Sequence, residues 1–206
     1  MQKEKVGNLI DGVYAIALTI LVLDLPKPDS TVKMIEIFPQ IREVLINYIF
    51  SFLLLFNFWI NQRNINDLPN YHSQTTLWLN GLALMFVCLI PYSTSLLHIH
   101  GNNAYIDMAY IINSLIVDIT IYLVLLSHKG DRYDEERDSS MVERLIRSRK
   151  YSTVCFTIAV ITAMLLPVPK KNILFVVPLF LVFENKIVAI GRNVFNSIRK
   201  IKIGFR

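Results

Sequence analysis

The chain has 206 residues, 53% of them hydrophobic, and its mean hydropathy is +0.45. These values exceed those of an ordinary soluble domain, so the composition excludes a water-soluble protein and indicates an integral membrane protein. The net charge of +5 does not require a nucleic-acid partner, because basic residues near the inner leaflet also meet anionic headgroups. We therefore expect membrane lipid as a partner and no nucleic acid.

Six apolar runs are long enough to cross a bilayer, since a spanning helix needs about 20 mainly apolar residues. They predict an all-α membrane protein, with a single six-helix transmembrane domain over residues 1–206 and a polar cytoplasmic loop at 128–150. The predicted spans are about 6–25, 40–62, 76–97, 104–127, 151–168 and 172–191. The first run is long and lacks the cleavage site of a signal peptide, so we interpret it as a retained helix.

Lysine and arginine residues are divided unevenly between the two sides of these spans. With the N-terminus inside, fifteen fall on the inner side and five on the outer side. Because cytoplasmic loops carry the excess, both termini are predicted to be cytoplasmic, in the cell membrane. The sequence has no nucleotide-binding glycine loop, paired zinc-ligand spacing or nucleophile elbow, so we expect no cofactor, no metal site and no enzymatic activity.

The first span carries a stripe of mixed polarity. At 100° per residue, five side chains fall within about 40° of one line: Asn8, Gly12, Ile16, Thr19 and Leu23. Copies of this stripe around a symmetry axis would line a narrow pore. Ile16 and Leu23 would then form apolar constrictions, and a ring of Thr19 hydroxyls would replace part of an ion's hydration shell. The alternative is an ordinary packed helix with a buried threonine bonded to its own i−4 carbonyl.

The same span carries two acidic residues, Asp24 at the end of the stripe and Asp11 to one side of it. Asp24 follows Leu23 at the predicted outer mouth, where its charge would raise the local cation concentration. Asp11 lies about 100° from Gly12 and therefore points at neighbouring helices. Three further polar residues lie at the same end of the second and third spans: Asn61, Gln62 and Asn80. We predict that they meet Asp11 in one layer that braces the first helix.

Polar residues recur at helical spacing on one face of the fourth span: Asp107, Tyr110, Ser114, Asp118 and Tyr122. This face must contact protein or water, either through interhelical hydrogen bonds or as a proton relay. Asp118 and Lys186 both lie near the cytoplasmic half of their spans, and we predict that they pair. In the loop, Ser140 followed by Glu143 predicts a capping box that opens a helix leading into the fifth span.

Three stretches of the first half form a recognisable set: GVYAIALTILVLD at 12–24, YIFSFLLLFNFW in span two and LWLNGLALMFVCLIPYSTSLL in span three. Together they resemble the first three helices of the transmembrane protein 175 family of cation channels. The family's R-x-x-x-F-S-D motif is altered here, because Lys5, Leu9 and Ile10 replace its Arg, Phe and Ser and only Asp11 is kept. The family's W-x-x-H-H reads WINQR in this chain.

This resemblance implies six helices per subunit and a homotetramer with four first helices around the pore. It implies a potassium-favouring conductance without the T-V-G-Y-G filter, with Ile16 as the constriction, Thr19 as the threonine layer and Leu23 as the next apolar ring. The sequence thus predicts a passive, potassium-permeable channel with no cofactor besides the permeating ion. Two other functions stay open: a proton-coupled secondary transporter, and a non-conducting scaffold that binds a partner through residues 128–150.

Overall fold

The computed structural model describes residues 2–23, 25, 34–68, 73–99, 103–128 and 136–165. They form five α-helices in chain order: α1 Gln2–Leu23, α2 Met34–Asn66, α3 Gln74–Ile99, α4 Ala104–Ser127 and α5 Glu136–Leu165. The predicted sixth span, Asp24 and Lys186 lie outside the described residues. Within the described part, the all-helical architecture is confirmed.

Four helices are long and apolar enough to cross a membrane: Glu4–Leu23, Val44–Asn66, Gln74–Leu97 and Ala104–Ser127. They coincide with the first four predicted spans to within a few residues. The second differs most, because α2 begins at Met34 and adds more than two turns before its apolar run.

Side-chain caps explain where α3 and α4 begin. Ser73 precedes α3, and its Oγ accepts the backbone N–H of Thr76 at 3.2 Å. Asn103 precedes α4, and its Oδ1 accepts the backbone N–H of Tyr105 at 3.0 Å. Each bond satisfies a donor that has no partner inside the first turn of a helix.

The fifth helix begins earlier than its sequence pattern predicted. Since α5 starts at Glu136, Ser140 lies inside the helix, and the predicted capping box with Glu143 is wrong. Glu136 and Arg137 favour helix intrinsically, and an acidic residue is stabilised in a first turn, so the helix extends over them. As predicted, the helix continues into residues 151–165, which make up most of the predicted fifth span.

The other helices cover only one side of α1. α1 packs against α2 and α3, α4 packs against α3 and α2, and α5 packs against α4. Four residues of α1 face this core: Ile10, Tyr14, Ala17 and Leu21. Their spacing of three or four residues puts them on one side of the helix, so the other side is left to face outward.

The predicted polar face of α4 is turned into the bundle. Its first four members are buried and the last is half-buried: Asp107, Tyr110, Ser114, Asp118 and Tyr122. The Tyr110 hydroxyl lies 3.0 Å from Oγ of Ser51 on α2, and Thr94 of α3 donates to the same Ser51 oxygen at 2.9 Å. The expectation that this face contacts protein or water is confirmed, and here it joins three helices by hydrogen bonds.

Candidate functional site

All five residues of the predicted α1 stripe are exposed. The exposed fraction is 61% for Ile16 and 76% for Leu23, and Asn8, Gly12 and Thr19 are exposed with them. On the opposite side of the helix, the four core-facing residues are at most 2% exposed. The middle of that buried side lies about 180° from Gly12 at 100° per residue. The fold therefore turns the stripe away from its own subunit.

The hydroxyl of Thr19 is oriented by its own helix. Its Oγ1 donates to the carbonyl oxygen of Ile16 at 2.8 Å. A hydroxyl has one proton and two lone pairs, so this bond leaves lone pairs available to an outside donor or cation. Thr19 thus differs from the packed alternative, since it is exposed and bonds the i−3 carbonyl.

Gly12 adds an open position to the same face. A Cβ built on Gly12 would meet no atom within 4 Å of the described chain. Along the stripe, α1 therefore presents an amide at Asn8, a bare backbone, an apolar side chain at Ile16, a hydroxyl at Thr19 and a second apolar side chain at Leu23. This order alternates apolar side chains with groups that carry oxygen.

The outward faces of the neighbouring helices have a different composition. On α2 the large exposed side chains in the apolar run are Leu45, Ile49, Phe56 and Ile60, and on α4 they include Ile112, Ile119 and Leu123. Such faces suit lipid tails. The α1 face is less uniform, because it also exposes an amide, a glycine and a hydroxyl.

Asp11 ties α1 to α2. Its Oδ1 accepts the indole N–H of Trp59 at 2.9 Å, and its Oδ2 pairs with the Arg63 guanidinium. Arg63 is held from the other side by Asp67, whose Oδ2 lies 3.7 Å from Nε. Trp59 and Arg63 are one turn apart on α2, so both reach the same carboxylate.

The other three residues of the predicted bracing layer bond elsewhere. Asn61 donates to Oδ1 of Asn57, one turn back on α2, at 2.7 Å. Gln62 donates to Oδ1 of Asn80 at 2.7 Å and accepts from the hydroxyl of Tyr14 at 2.9 Å. Gln62 and Asn80 therefore do hold α1, α2 and α3 together, but their link to α1 is Tyr14 and not Asp11.

Asp118 forms a buried ion pair with α5. Its Oδ1 lies 2.6 Å from Nη2 of Arg149, and the exposed fractions of the two side chains are 0% and 6%. Oδ2 of Asp118 is buried without a hydrogen-bond partner in the described part of the chain. The predicted partner Lys186 lies outside that part, so the pair of Asp118 and Lys186 stays a prediction.

The main partners that the sequence interpretation missed are Trp59, Arg63, Tyr14 and Arg149. Arg63 and Arg149 were assigned to loops because each lies at the end of an apolar run. The available signal was the need of each intramembrane carboxylate for a cation, with an arginine close to the end of a neighbouring apolar run. Nothing in the sequence indicated that Tyr14 forms a hydrogen bond between helices, since tyrosine is common on apolar faces.

Groups that bind metals or form disulfides are sparse in the described ranges. No three His, Cys, Asp or Glu side chains there come close enough to hold a metal ion together. Cys88 and Cys155 are free thiols and both are exposed.

Comparison with known proteins gives a consistent result. Residues 5–91 match the sequence profile of the family described as endosomal/lysosomal potassium channel TMEM175. A potassium channel of Chamaesiphon minutus is 28% identical over 140 residues, which cover 60% of this chain and 69% of that protein. A potassium channel of Streptomyces collinus is 32% identical over 95 residues, which cover 45% of this chain and 46% of that protein.

The fold has a counterpart among solved structures. The crystal structure of a lysosomal potassium-selective channel TMEM175 homolog from Chamaesiphon minutus superposes with a TM-score of 0.73. The alignment covers 88% of this chain and 97% of that chain at 19% identity. With its apolar helices, the chain is a multi-pass membrane protein. The profile match over residues 5–91 and the sequence relatives confirm the resemblance to the TMEM175 family and support membership in it, and the solved homolog shares the fold.

Proposed function

We propose that the protein is a passive, potassium-permeable cation channel formed by a homotetramer, with four copies of α1 around a central axis. In this assembly the pore is lined by Asn8, Gly12, Ile16, Thr19 and Leu23. The observation that carries the proposal is the exposure of this mixed stripe on a helix whose other side is buried. The names of the sequence relatives, which are potassium channels, support the choice of ion.

The proposed mechanism is partial dehydration at apolar rings followed by coordination at Thr19. Rings of Ile16 and Leu23 restrict the path and exclude excess water, and dewetting makes such rings the barrier to conduction. Thr19 lies between them, and its proton is engaged with the Ile16 carbonyl at 2.8 Å. Its lone pairs can therefore replace some of the water lost at the apolar rings. Asp24, which the sequence predicts at the outer mouth, would attract cations.

The contacts of Asp11 and Tyr14 have a supporting role in this proposal. Both residues hold α1 against α2 from the side away from the stripe. A pore helix has to keep its rotation, because a turn of 100° would replace Thr19 by an adjacent apolar side chain. We assign Asp11, Gln62 and Asn80 to this positioning network, together with Trp59 and Arg63.

Potassium flux into proteoliposomes tests the proposal. Ile16→Asn is expected to raise flux, because an amide hydrates the constriction, and Thr19→Val is expected to lower it, because the oxygen ligand is lost. Ile112→Asn on the outward face of α4 and Thr75→Val, an exposed threonine near the start of α3, are the matched controls. Both controls should conduct like the wild type.

Two results would contradict the proposal. If neither Ile16→Asn nor Thr19→Val changes flux in a preparation of folded protein, the stripe does not line the pore. If uptake saturates with substrate and follows a proton gradient, the protein is a coupled transporter and not a passive channel.

A further inference from the structure

One outward face of α5 changes character along its length. Seven of its exposed residues lie within about 100° of one another around the helix: Glu143, Arg147, Lys150, Tyr151, Val154, Ile158 and Ile161. The face is charged at its N-terminal end, aromatic at Tyr151 and apolar from Val154 onward. This is the order in which a helix passes from lipid headgroups into hydrocarbon, with tyrosine at the boundary.

The charged end of this face contains an open groove of about 440 Å³, lined by Glu143, Ile146, Arg147, Lys150 and Tyr151. Arg147 and Lys150 form no ion pair or hydrogen bond within the described part of the chain. An arginine fork and a lysine ammonium less than one turn apart are complementary to a phosphate group. Glu143 adds an acceptor for a neighbouring hydroxyl.

A buried contact fixes which side of α5 faces outward. Arg149 lies about 200° from Arg147 on the helix and forms the ion pair with Asp118 at 2.6 Å. Val142 and Phe156 are buried on the same inner side. Rotation of α5 would expose these groups, so Arg147 and Lys150 are held facing away from the bundle.

We propose that the α5 groove, formed by Glu143, Ile146, Arg147, Lys150 and Tyr151, binds the headgroup of an anionic phospholipid from the adjacent leaflet. Arg147 and Lys150 contact the lipid phosphate, Glu143 accepts from a headgroup hydroxyl, and an acyl chain lies along Val154, Ile158 and Ile161. The continuity of the basic groove with an apolar face favours a lipid over a free phosphate ion, because a free ion would use only the charged end.

Native mass spectrometry of the purified full-length protein with phosphatidylglycerol or phosphatidylcholine tests this site. The wild type should retain phosphatidylglycerol preferentially. Arg147→Gln should reduce this preference about fivefold, and Arg147→Gln with Lys150→Gln more than tenfold, since each basic group near an anionic surface adds a comparable increment. Arg144→Gln is the matched control, because Arg144 is exposed on the same helix but lies outside the groove.

The control and a competitor decide the result. Retention unchanged in Arg144→Gln, and unaffected by excess inorganic phosphate, would support a lipid site in the groove. An equal loss in Arg144→Gln would overturn the proposal, because attraction would then follow overall charge and not the groove. Displacement of the lipid by inorganic phosphate, or no loss in the double variant, would overturn it as well. Because Arg147 and Lys150 are exposed, their variants should retain the wild-type melting temperature in detergent.

Discussion

The indole N–H of Trp59 donates to Oδ1 of Asp11 at 2.9 Å, while Arg63, one turn further along α2, pairs with the other carboxylate oxygen. One acidic residue on α1 is therefore held by two side chains from a single face of α2. Asp11 lies off the outward stripe, and in the proposed assembly it is a positioning residue.

Replacing Asp11 by Asn should lower the melting temperature in detergent, because α1 would be held less firmly in its orientation against α2. The amide keeps one acceptor for Trp59 but loses the charge opposite Arg63. The control is Asp67→Asn, which removes the other carboxylate near Arg63 at an exposed site, where an ion pair is screened by solvent. Asp67→Asn should change the melting temperature less; an equal change from the two variants would contradict the bracing role.

Tyr14→Phe should destabilise the fold by about 1 to 2 kcal/mol, because Oε1 of Gln62 would lose a buried donor. The ring, which is 1% exposed, should stay packed in the core. Tyr105→Phe at the exposed start of α4 removes the same hydroxyl without a buried partner and should be near neutral. Reversible unfolding in mixed micelles measures both variants. A neutral Tyr14→Phe would show that the three-helix network has little stabilising effect.

Breaking the buried pair of Asp118 and Arg149 should be costly. Asp118→Asn or Arg149→Met alone is expected to destabilise the protein by about 3 to 5 kcal/mol, since each removes one partner of a buried ion pair. The double variant should recover much of this loss because no lone charge remains. Additive losses in the double-mutant cycle would contradict a direct interaction.

The same cycle with Lys186→Gln tests the pair that the sequence predicted. Oδ2 of Asp118 has no hydrogen-bond partner in the described ranges, so a second cation would have an acceptor available. A coupling energy between Asp118 and Lys186 comparable to that of Asp118 and Arg149 would support the predicted pair. Zero coupling would leave Arg149 as the partner.

A thiol cross-linking experiment tests whether α1 helices meet on a central axis. In a background with Cys88 and Cys155 replaced by serine, Leu23→Cys should give covalent oligomers with a short bifunctional reagent, and its native mass should equal four subunits. Ile119→Cys, exposed on α4, is the control and should remain monomeric after denaturation. Cross-links at Ile119 but not at Leu23, or a native mass of one or two subunits, would contradict the proposed assembly.

The sequence predicted helix positions well because hydrophobicity and length alone decide which segments are buried in a bilayer. Residue spacing also identified the stripe on α1 that the structure leaves exposed. The hydrogen-bond and ion-pair partners of the side chains could not be predicted in this way, because they depend on the direction in which each side chain leaves the α2 axis. Gln62 and Arg63 are adjacent in sequence but about 100° apart on the helix, so one reaches Tyr14 and the other reaches Asp11. The sequence interpretation grouped Gln62 with Asp11 and left Arg63 in the loop, so it did not separate the two networks.

The extent of α5 was likewise only partly predictable. Ser140 and Glu143 have the spacing of a capping box, but the preceding residues are also good helix formers, and the helix extends through them to Glu136. Arg149 was assigned to the loop because it precedes the apolar run by two residues. Its length allows the guanidinium to reach Asp118 inside the bundle, which sequence distance from the membrane boundary does not reveal.

Gly12→Ala separates stability from conduction. A Cβ at Gly12 meets no atom within 4 Å, and alanine favours helix over glycine by about 1 kcal/mol, so the melting temperature should stay equal or rise. If four copies of Gly12 face a pore, the added methyl groups narrow it, and potassium flux into proteoliposomes should fall. Gly7→Ala is the comparison: its Cβ would lie 2.9 Å from Nδ2 of Asn66, so this variant should lose the stability gain. Wild-type flux in Gly12→Ala would show that the path is not narrow at the level of Gly12 and that the constriction lies elsewhere along the stripe.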